Sequence, residues 1–180
     1  FRLPKFSLSF FRTQIAEGSM LPSGKMPYEV FIPAYRDEIL SDTVMVYGNV
    51  DEVELVLNGK TIRRQTADKG PDSDYIPVPN GGNGKNLHFP PFTFYGVPKE
   101  RGVLKAVGYH QGKKVAEYTV KTPGVPERLD ITYFESGKPA TKNDLLIVYV
   151  RMLDKQGVLC PVNGIPVELS VQGGEIVGPT

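Results

Sequence analysis

Glu52 and Glu54 are the first residues in this 180-residue chain whose type and spacing suggest chemistry, since two nearby carboxyl groups can divide acid and base work. Their setting argues otherwise. Across Glu52 to Leu57, the apolar Val53, Leu55 and Leu57 alternate with Glu52, Glu54 and Val56, which is the period of a half-buried strand. Both carboxylates are therefore expected on the solvent face, where like charges deter edge pairing. Asp68, Asp72 and Asp74 could offer oxygens to calcium, but their spacing is not that of an EF-hand loop and Pro71 intervenes, so a solvated turn is the better reading. His88 and His110 lie far apart and have no suitably spaced cysteine or histidine companion for zinc. No serine sits in a nucleophile-elbow pattern. The lone cysteine, Cys160, can form no internal disulfide and reads as a small core residue before Pro161. Catalytic residues, a metal site and a cofactor are all expected to be absent.

Sugar binding is the subtler chemistry. Tyr75, Phe89, Phe92, Phe94 and Tyr95 cluster in and beside one long loop, and aromatic faces stack on pyranose rings, although the chain has no Trp. Phe92 and Phe94 alternate with Thr93 and Tyr95, so one of these pairs belongs to the core. Tyr75 and Tyr95 remain as candidate sugar contacts.

Charge narrows the partners. Lys plus Arg number 21 against 20 for Asp plus Glu, with no like-charge block and no basic residues interleaved with aromatics, so a nucleic-acid partner is not expected. No apolar run approaches the roughly 20 residues that span a bilayer. One cysteine without disulfide staples fits a bacterial sandwich that relies on its core, and a periplasmic or secreted location is the expectation. The chain lacks an initiator Met, so Phe1 is read as other than a natural start.

The elements that must position these residues are mostly strands. Asn58-Gly59 accepts positive φ at both centres of a tight turn and predicts a hairpin between Glu52–Leu57 and Lys60–Gln65. Gln111-Gly112 predicts a second hairpin, between Val103–His110 and Lys113–Lys121. Thr43–Tyr47, Phe92–Tyr95 and a short extended piece at Tyr28–Ile32 complete the first set. Residues 66–91 are dense in Gly, Pro, Asn and Asp, and read as an inserted or functional loop. Ahead of these strands, Phe6 and Phe10 lie four apart with Leu3 and Thr13 on one stripe, predicting a short helix that stops by Gly18. Residues 16–40 read as a Pro- and Gly-punctuated linker. Phe6, Phe10 and Phe11 then need a partner: a preceding domain, the sandwich itself, or a second copy of the chain.

Thr122-Pro-Gly-Val-Pro126 marks a stiff joint. Beyond it Arg128–Phe134, Asp144–Leu153 and Ile165–Val171 read as strands, the middle one apolar on both faces and so expected to be central. The fold class is all-β, with tandem immunoglobulin-like β-sandwiches behind a short N-terminal helix and linker. The domains are 1–40 for helix and linker, 41–124 for the first sandwich and 125–180 for a second. A complete immunoglobulin-like sandwich takes around 100 residues, so the second reads as cut short.

The order of these parts resembles the region that follows the catalytic barrel in family 2 glycoside hydrolases of the β-galactosidase type. Lys5 to Gln14 looks like the last barrel helix, Val44 to Thr122 like the next β-sandwich, and Asp130 to Gly178 like the start of the module after it, with Asp154-Lys-Gln-Gly157 as its turn. The resemblance implies a bacterial parent that hydrolyses terminal β-glycosides. It also implies a non-catalytic accessory role here, with the parent's barrel as partner, carbohydrate as a further one, and self-association through the helix when that barrel is missing. Asn163-Gly-Ile-Pro-Val-Glu-Leu-Ser-Val171 is also similar to the repeats of invasin-type adhesins, so an adhesin-like stalk stays open as an alternative. A carbohydrate-binding module is another.

Overall fold

The computed structural model describes residues 5–33, 42–68, 87–133, 146–162 and 164–177, which fall into two compact units, Phe1–Pro123 and Gly124–Thr180. The first unit runs through helix α1 (Phe6–Thr13), β1 (Met20–Leu21), β2 (Gly24–Lys25), β3 (Val30–Phe31), β4 (Val44–Gly48), β5 (Glu52–Leu57), β6 (Lys60–Thr66), β7 (Phe92–Phe94), β8 (Val103–His110) and β9 (Lys113–Lys121). Antiparallel pairing gives a four-stranded sheet in the order β6-β5-β8-β9 and a three-stranded sheet in the order β3-β4-β7. Val53, Leu55, Leu57, Leu104 and Ala106 from the first sheet meet Val44, Val46, Phe92 and Phe94 from the second in one buried cluster. The period-2 pattern thus becomes an all-β sandwich whose charged residues face water.

Both tight turns take the conformation their sequences ask for. Asn58 and Gly59 have φ of 51° and 81°, and Gln111 and Gly112 have 49° and 74°, positive at both centres as the twist of a two-residue hairpin favours. Asn58 does more than turn the chain. Its side-chain Oδ1 accepts from the Val103 N–H at 2.9 Å and its Nδ2 donates to the Arg101 carbonyl at 3.0 Å, which fixes the entry of β8. A β-branched residue resists positive φ, so Gly59→Val should cost roughly 1–2 kcal/mol in a denaturant melt. An unchanged midpoint would contradict the register.

The edge strand β7 is protected by residues that leave β6. Asp68 accepts from the Thr93 hydroxyl at 2.6 Å and from its N–H at 3.3 Å, while the Gln65 side chain donates to the Thr93 carbonyl at 2.9 Å. These bonds satisfy the free side of β7 and tie the two sheets together.

Residues 5–33, read from sequence as helix and linker ahead of the sandwich, lie within this first unit. The helix ends at Thr13, short of Gly18, where the Thr13 hydroxyl and the Gln14 and Ile15 amides bond back to the Phe10, Phe11 and Arg12 carbonyls. Phe10 packs edge-on against Tyr47 at 5.0 Å, and Phe6 lies 5.6 Å from Phe31. Arg12 grips the Glu29 carboxylate, and Gln14 both donates to and accepts from the Phe89 backbone. Buried Asn49 spans the junction, donating to the Ile15 and Pro27 carbonyls and accepting from the Glu29 N–H.

The second unit holds β10 (Pro126–Tyr133) and β11 (Val148–Asp154), paired antiparallel. Two expectations fail here. Ile165–Val171 forms no strand, and its apolar side chains stand exposed. Nor is β11 covered on both faces: among the described residues it pairs along its length only with β10, and Val148 is exposed. Alternation marks a residue as fit for a sheet, whereas burial depends on a layer to pack against.

Among the described residues of this unit Asp154 is the most deeply buried, only 1% exposed. Its carboxylate accepts from the backbone N–H groups of Gly124 at 2.7 Å, Val158 at 2.8 Å and Gln156 at 2.9 Å. These bonds, the one from Gly124 foremost, hold its pKa below the usual range. With the folded pKa below the unfolded one, near about 3.9, the stabilisation is fully present above that value and is lost as pH falls through the folded pKa. Acid melts of wild type and Asp154→Asn should therefore converge as pH falls through the folded pKa, while wild type is the more stable at neutral pH. Curves that stay parallel throughout would rule out this carboxylate as the source.

Candidate functional site

A group of interacting titratable side chains lies on the outer face of the four-stranded sheet. Register puts Glu52 beside Tyr109, Glu54 beside Val107 and Val56 beside Lys105, and across β8 and β9 it puts Tyr109 beside Lys114 and Val107 beside Glu117. An open groove of about 400 Å³ runs over Val56, Val103, Lys105, Val107, Tyr109 and Lys114.

Most of these charges are held by neighbours. Arg64 bonds Glu52 at 2.5 Å and lays its guanidinium 3.7 Å over the Tyr109 ring centre. Glu54 accepts from the Thr61 hydroxyl at 2.7 Å and from the Tyr109 hydroxyl at 2.6 Å. Lys114 and Lys105 both reach Glu117, at 2.6 Å and 3.8 Å. The two hydroxyl donors, Thr61 first, lower the Glu54 pKa, and the bond to Glu54, followed by burial, raises that of Tyr109. At neutral pH Glu54 is a stabilised anion without a proton to give, and Glu52 is engaged by Arg64. Hydrolysis of a glycosidic bond needs one carboxyl group to donate a proton while a second carboxylate attacks or activates water. Glu52 and Glu54 are instead each tied to a different partner, Arg64 for the one and Thr61 with Tyr109 for the other.

The other candidates are dispersed. Tyr75, Asp72 and Asp74 lie outside the described residues. Tyr95 follows β7, in the opposite sheet from the groove, and is half-buried and engaged with its neighbours. Asp68 is the clamp on Thr93. His88 packs edge-on against Phe89, while His110 stacks on Tyr28 at 4.9 Å with its Nδ1 3.1 Å from the Asp51 carboxylate. Cys160 is buried, and burial, with Asp154 nearby, pushes its thiol pKa up, away from the reactive thiolate. Among the described residues no three His, Cys, Asp or Glu side chains gather as a metal site. Sequence reasoning missed the Arg64–Tyr109–Glu54 network, and only the alternation that puts Arg64 and Glu54 on facing strands hinted at it.

Comparison with known proteins gives this arrangement its context. A family described as a domain of unknown function (DUF4982) matches residues 41–116. Over 99% of its length the chain is 30% identical to a β-galactosidase of Thermoanaerobacter pseudethanolicus, and over 73% it is 32% identical to β-galactosidase BoGH2A of Bacteroides ovatus. A solved β-glucuronidase from glycoside hydrolase family 2 superposes on 89% of the chain with a TM-score of 0.65 at 23% identity, a likeness of fold. The chain belongs with the C-terminal β-sandwich regions of family 2 glycoside hydrolases. It spans 23% and 13% of the two β-galactosidases' own lengths. The sandwich puts the Glu52, Glu54 and Glu117 carboxylates into ion pairs and hydrogen bonds, the arrangement of a surface held in shape.

Proposed function

We propose that the chain is a non-catalytic accessory region of a bacterial β-galactosidase-like enzyme, which hydrolyses terminal β-glycosides through a catalytic domain elsewhere in the same polypeptide. The observation that carries this reading is coverage: nearly the whole chain aligns, yet it fills less than a quarter of a β-galactosidase. The carboxylates it does contain are committed to structural partners.

The role we infer for α1 follows from its two faces. Thr13 is buried and Phe10 meets the sandwich, whereas Leu8 and Phe11 are 52% and 65% exposed. The Arg12–Glu29 pair, the Gln14–Phe89 bonds and the Asn49 bridge hold the helix rigidly on its sandwich. An apolar partner on the Leu8–Phe11 side would thereby fix the orientation of the whole first unit. The parent's catalytic barrel is that partner, and in the isolated chain the same face drives self-association.

The purified chain should not turn over a chromogenic β-galactoside or β-glucuronide. Activity that survives repurification and disappears with a point substitution in this chain would overturn the accessory reading. In the parent enzyme, Phe11→Asp should shorten the half-life on heating several-fold while leaving KM unchanged. A change in KM alone would place α1 at the substrate instead.

A further inference from the structure

Asn58 is the residue through which the first hairpin holds the start of β8, and it stands directly before Gly59. Its backbone N–H donates to the Val103 carbonyl at 2.9 Å, its Oδ1 accepts from the Val103 N–H at 2.9 Å, and its Nδ2 donates to the Arg101 carbonyl at 3.0 Å. A side-chain amide suits this place because one of its atoms must accept from an N–H while the other donates to a carbonyl. The same step carries a chemistry that the turn itself does not need. An asparagine amide can cyclise onto the backbone nitrogen of the next residue, and glycine puts no side chain in the way. Asn58 and Gly59 are both exposed. Gly59 borders the open groove of about 400 Å³ on the outer face, and a Cβ placed there would meet nothing within 4 Å, so water reaches the turn.

We propose that Asn58-Gly59 is a site of spontaneous deamidation, held in check by the bonds of Asn58 to the start of β8, so that conversion follows local release of the turn. The Gly59 nitrogen attacks Asn58 Cγ and gives up its proton. The new C–N bond closes a five-membered succinimide as the Cγ–Nδ2 bond breaks, and ammonia leaves with that proton. Water then opens the ring. Attack at Cγ gives aspartate, and attack at the main-chain carbonyl carbon of residue 58 gives isoaspartate, in which the backbone runs through the side chain. One water enters and one ammonia leaves, with no change of oxidation state. Ring closure draws Cγ to covalent distance from the Gly59 nitrogen, which breaks the side-chain bonds to Arg101 and Val103. The folded clamp therefore opposes the reaction. The outcome is one-way, since a carboxylate at this position has no donor for the Arg101 carbonyl and faces it as a second acceptor. The inference rests on the first unit alone and is independent of the parent's activity.

The test holds the purified chain at alkaline pH and follows the mass gain of amide-to-acid conversion by peptide mapping. Asn58 should convert on the order of tenfold or more slowly in the folded chain than in the same chain unfolded in urea. Gly102→Ala, whose Cβ would stand 1.9 Å from Asn58 Oδ1, should raise the folded rate several-fold. Gly112→Ala is the control, because Gly112 also has a positive φ, +74°, but lies in the other hairpin with nothing within 4 Å of an added Cβ. There Asn58 should keep its wild-type rate. Equal rates in the folded and unfolded chain would overturn the proposal, as would a folded Gly102→Ala chain with an unchanged rate. Equal acceleration by both glycine variants would overturn it too, because unfolding of the whole unit would then be the gate. The comparison of folded with unfolded wild type needs no variant, so it decides the matter even where Gly102→Ala fails to fold.

Discussion

Phe92→Ala should lower the stability of the first unit by about 3–5 kcal/mol in a urea titration, the largest effect expected of any single side chain here. Phe92 has no exposed surface and sits in β7 opposite Val46, at the seam where the three-stranded sheet meets the four-stranded one. Three features raise the cost. The side chain is large, β7 is only three residues long, and the far side of β7 is bonded through Thr93 to Gln65 and Asp68. The strand can neither slide to fill the cavity nor leave without stranding those polar groups. Phe92→Leu retains most of the volume and should cost under about half as much. A Phe92→Ala loss below about 1 kcal/mol would mean that the two sheets do not share this core.

Gly102→Ala should cost about 2–4 kcal/mol although it adds a single methyl group. Gly102 has φ of +135°, which is strained for any L side chain, and an added Cβ would stand 1.9 Å from Asn58 Oδ1. Asn58 cannot move aside freely, because its side chain is the clamp between the first hairpin and the start of β8. The Gly102 backbone is held as well, its N–H by the Thr122 hydroxyl at 3.0 Å and its carbonyl by the Thr122 N–H at 2.8 Å. A double-mutant cycle with Asn58→Gly separates the two contributions. That second change removes the clash but leaves the φ penalty, so the cost of Gly102→Ala should fall without vanishing. Strict additivity would show that no collision occurs.

These two effects also show where sequence reading stops. Phe92 was legible as one of an alternating pair near a loop, though not as the side chain joining two sheets. The collision at Gly102 carried no local signal, because the side chain that a Cβ would meet lies 44 positions earlier. The candidate site behaves the same way. That Glu52 and Glu54 face water follows from period-2 alternation along one strand. That they are committed to Arg64, Thr61 and Tyr109 depends on pairing between strands.

By itself the sequence determined the local geometry. Alternation in Glu52–Leu57 and Val103–His110, with Asn58-Gly59 and Gln111-Gly112 between strands, specified two hairpins and an all-β class, because side-chain direction and turn φ are properties of neighbouring residues. Only the tertiary structure decided which strands share a sheet, since β4 must reach across to β7 while β5 pairs with β8. It alone recruited Asn49, Gln14 and Asp68 as long-range clamps, and it alone left Leu8, Phe11 and the β10–β11 face open. Burial is a relation between segments far apart in the chain, and Ile165–Val171 shows the consequence: a flawless strand pattern stays uncovered until another surface is packed against it.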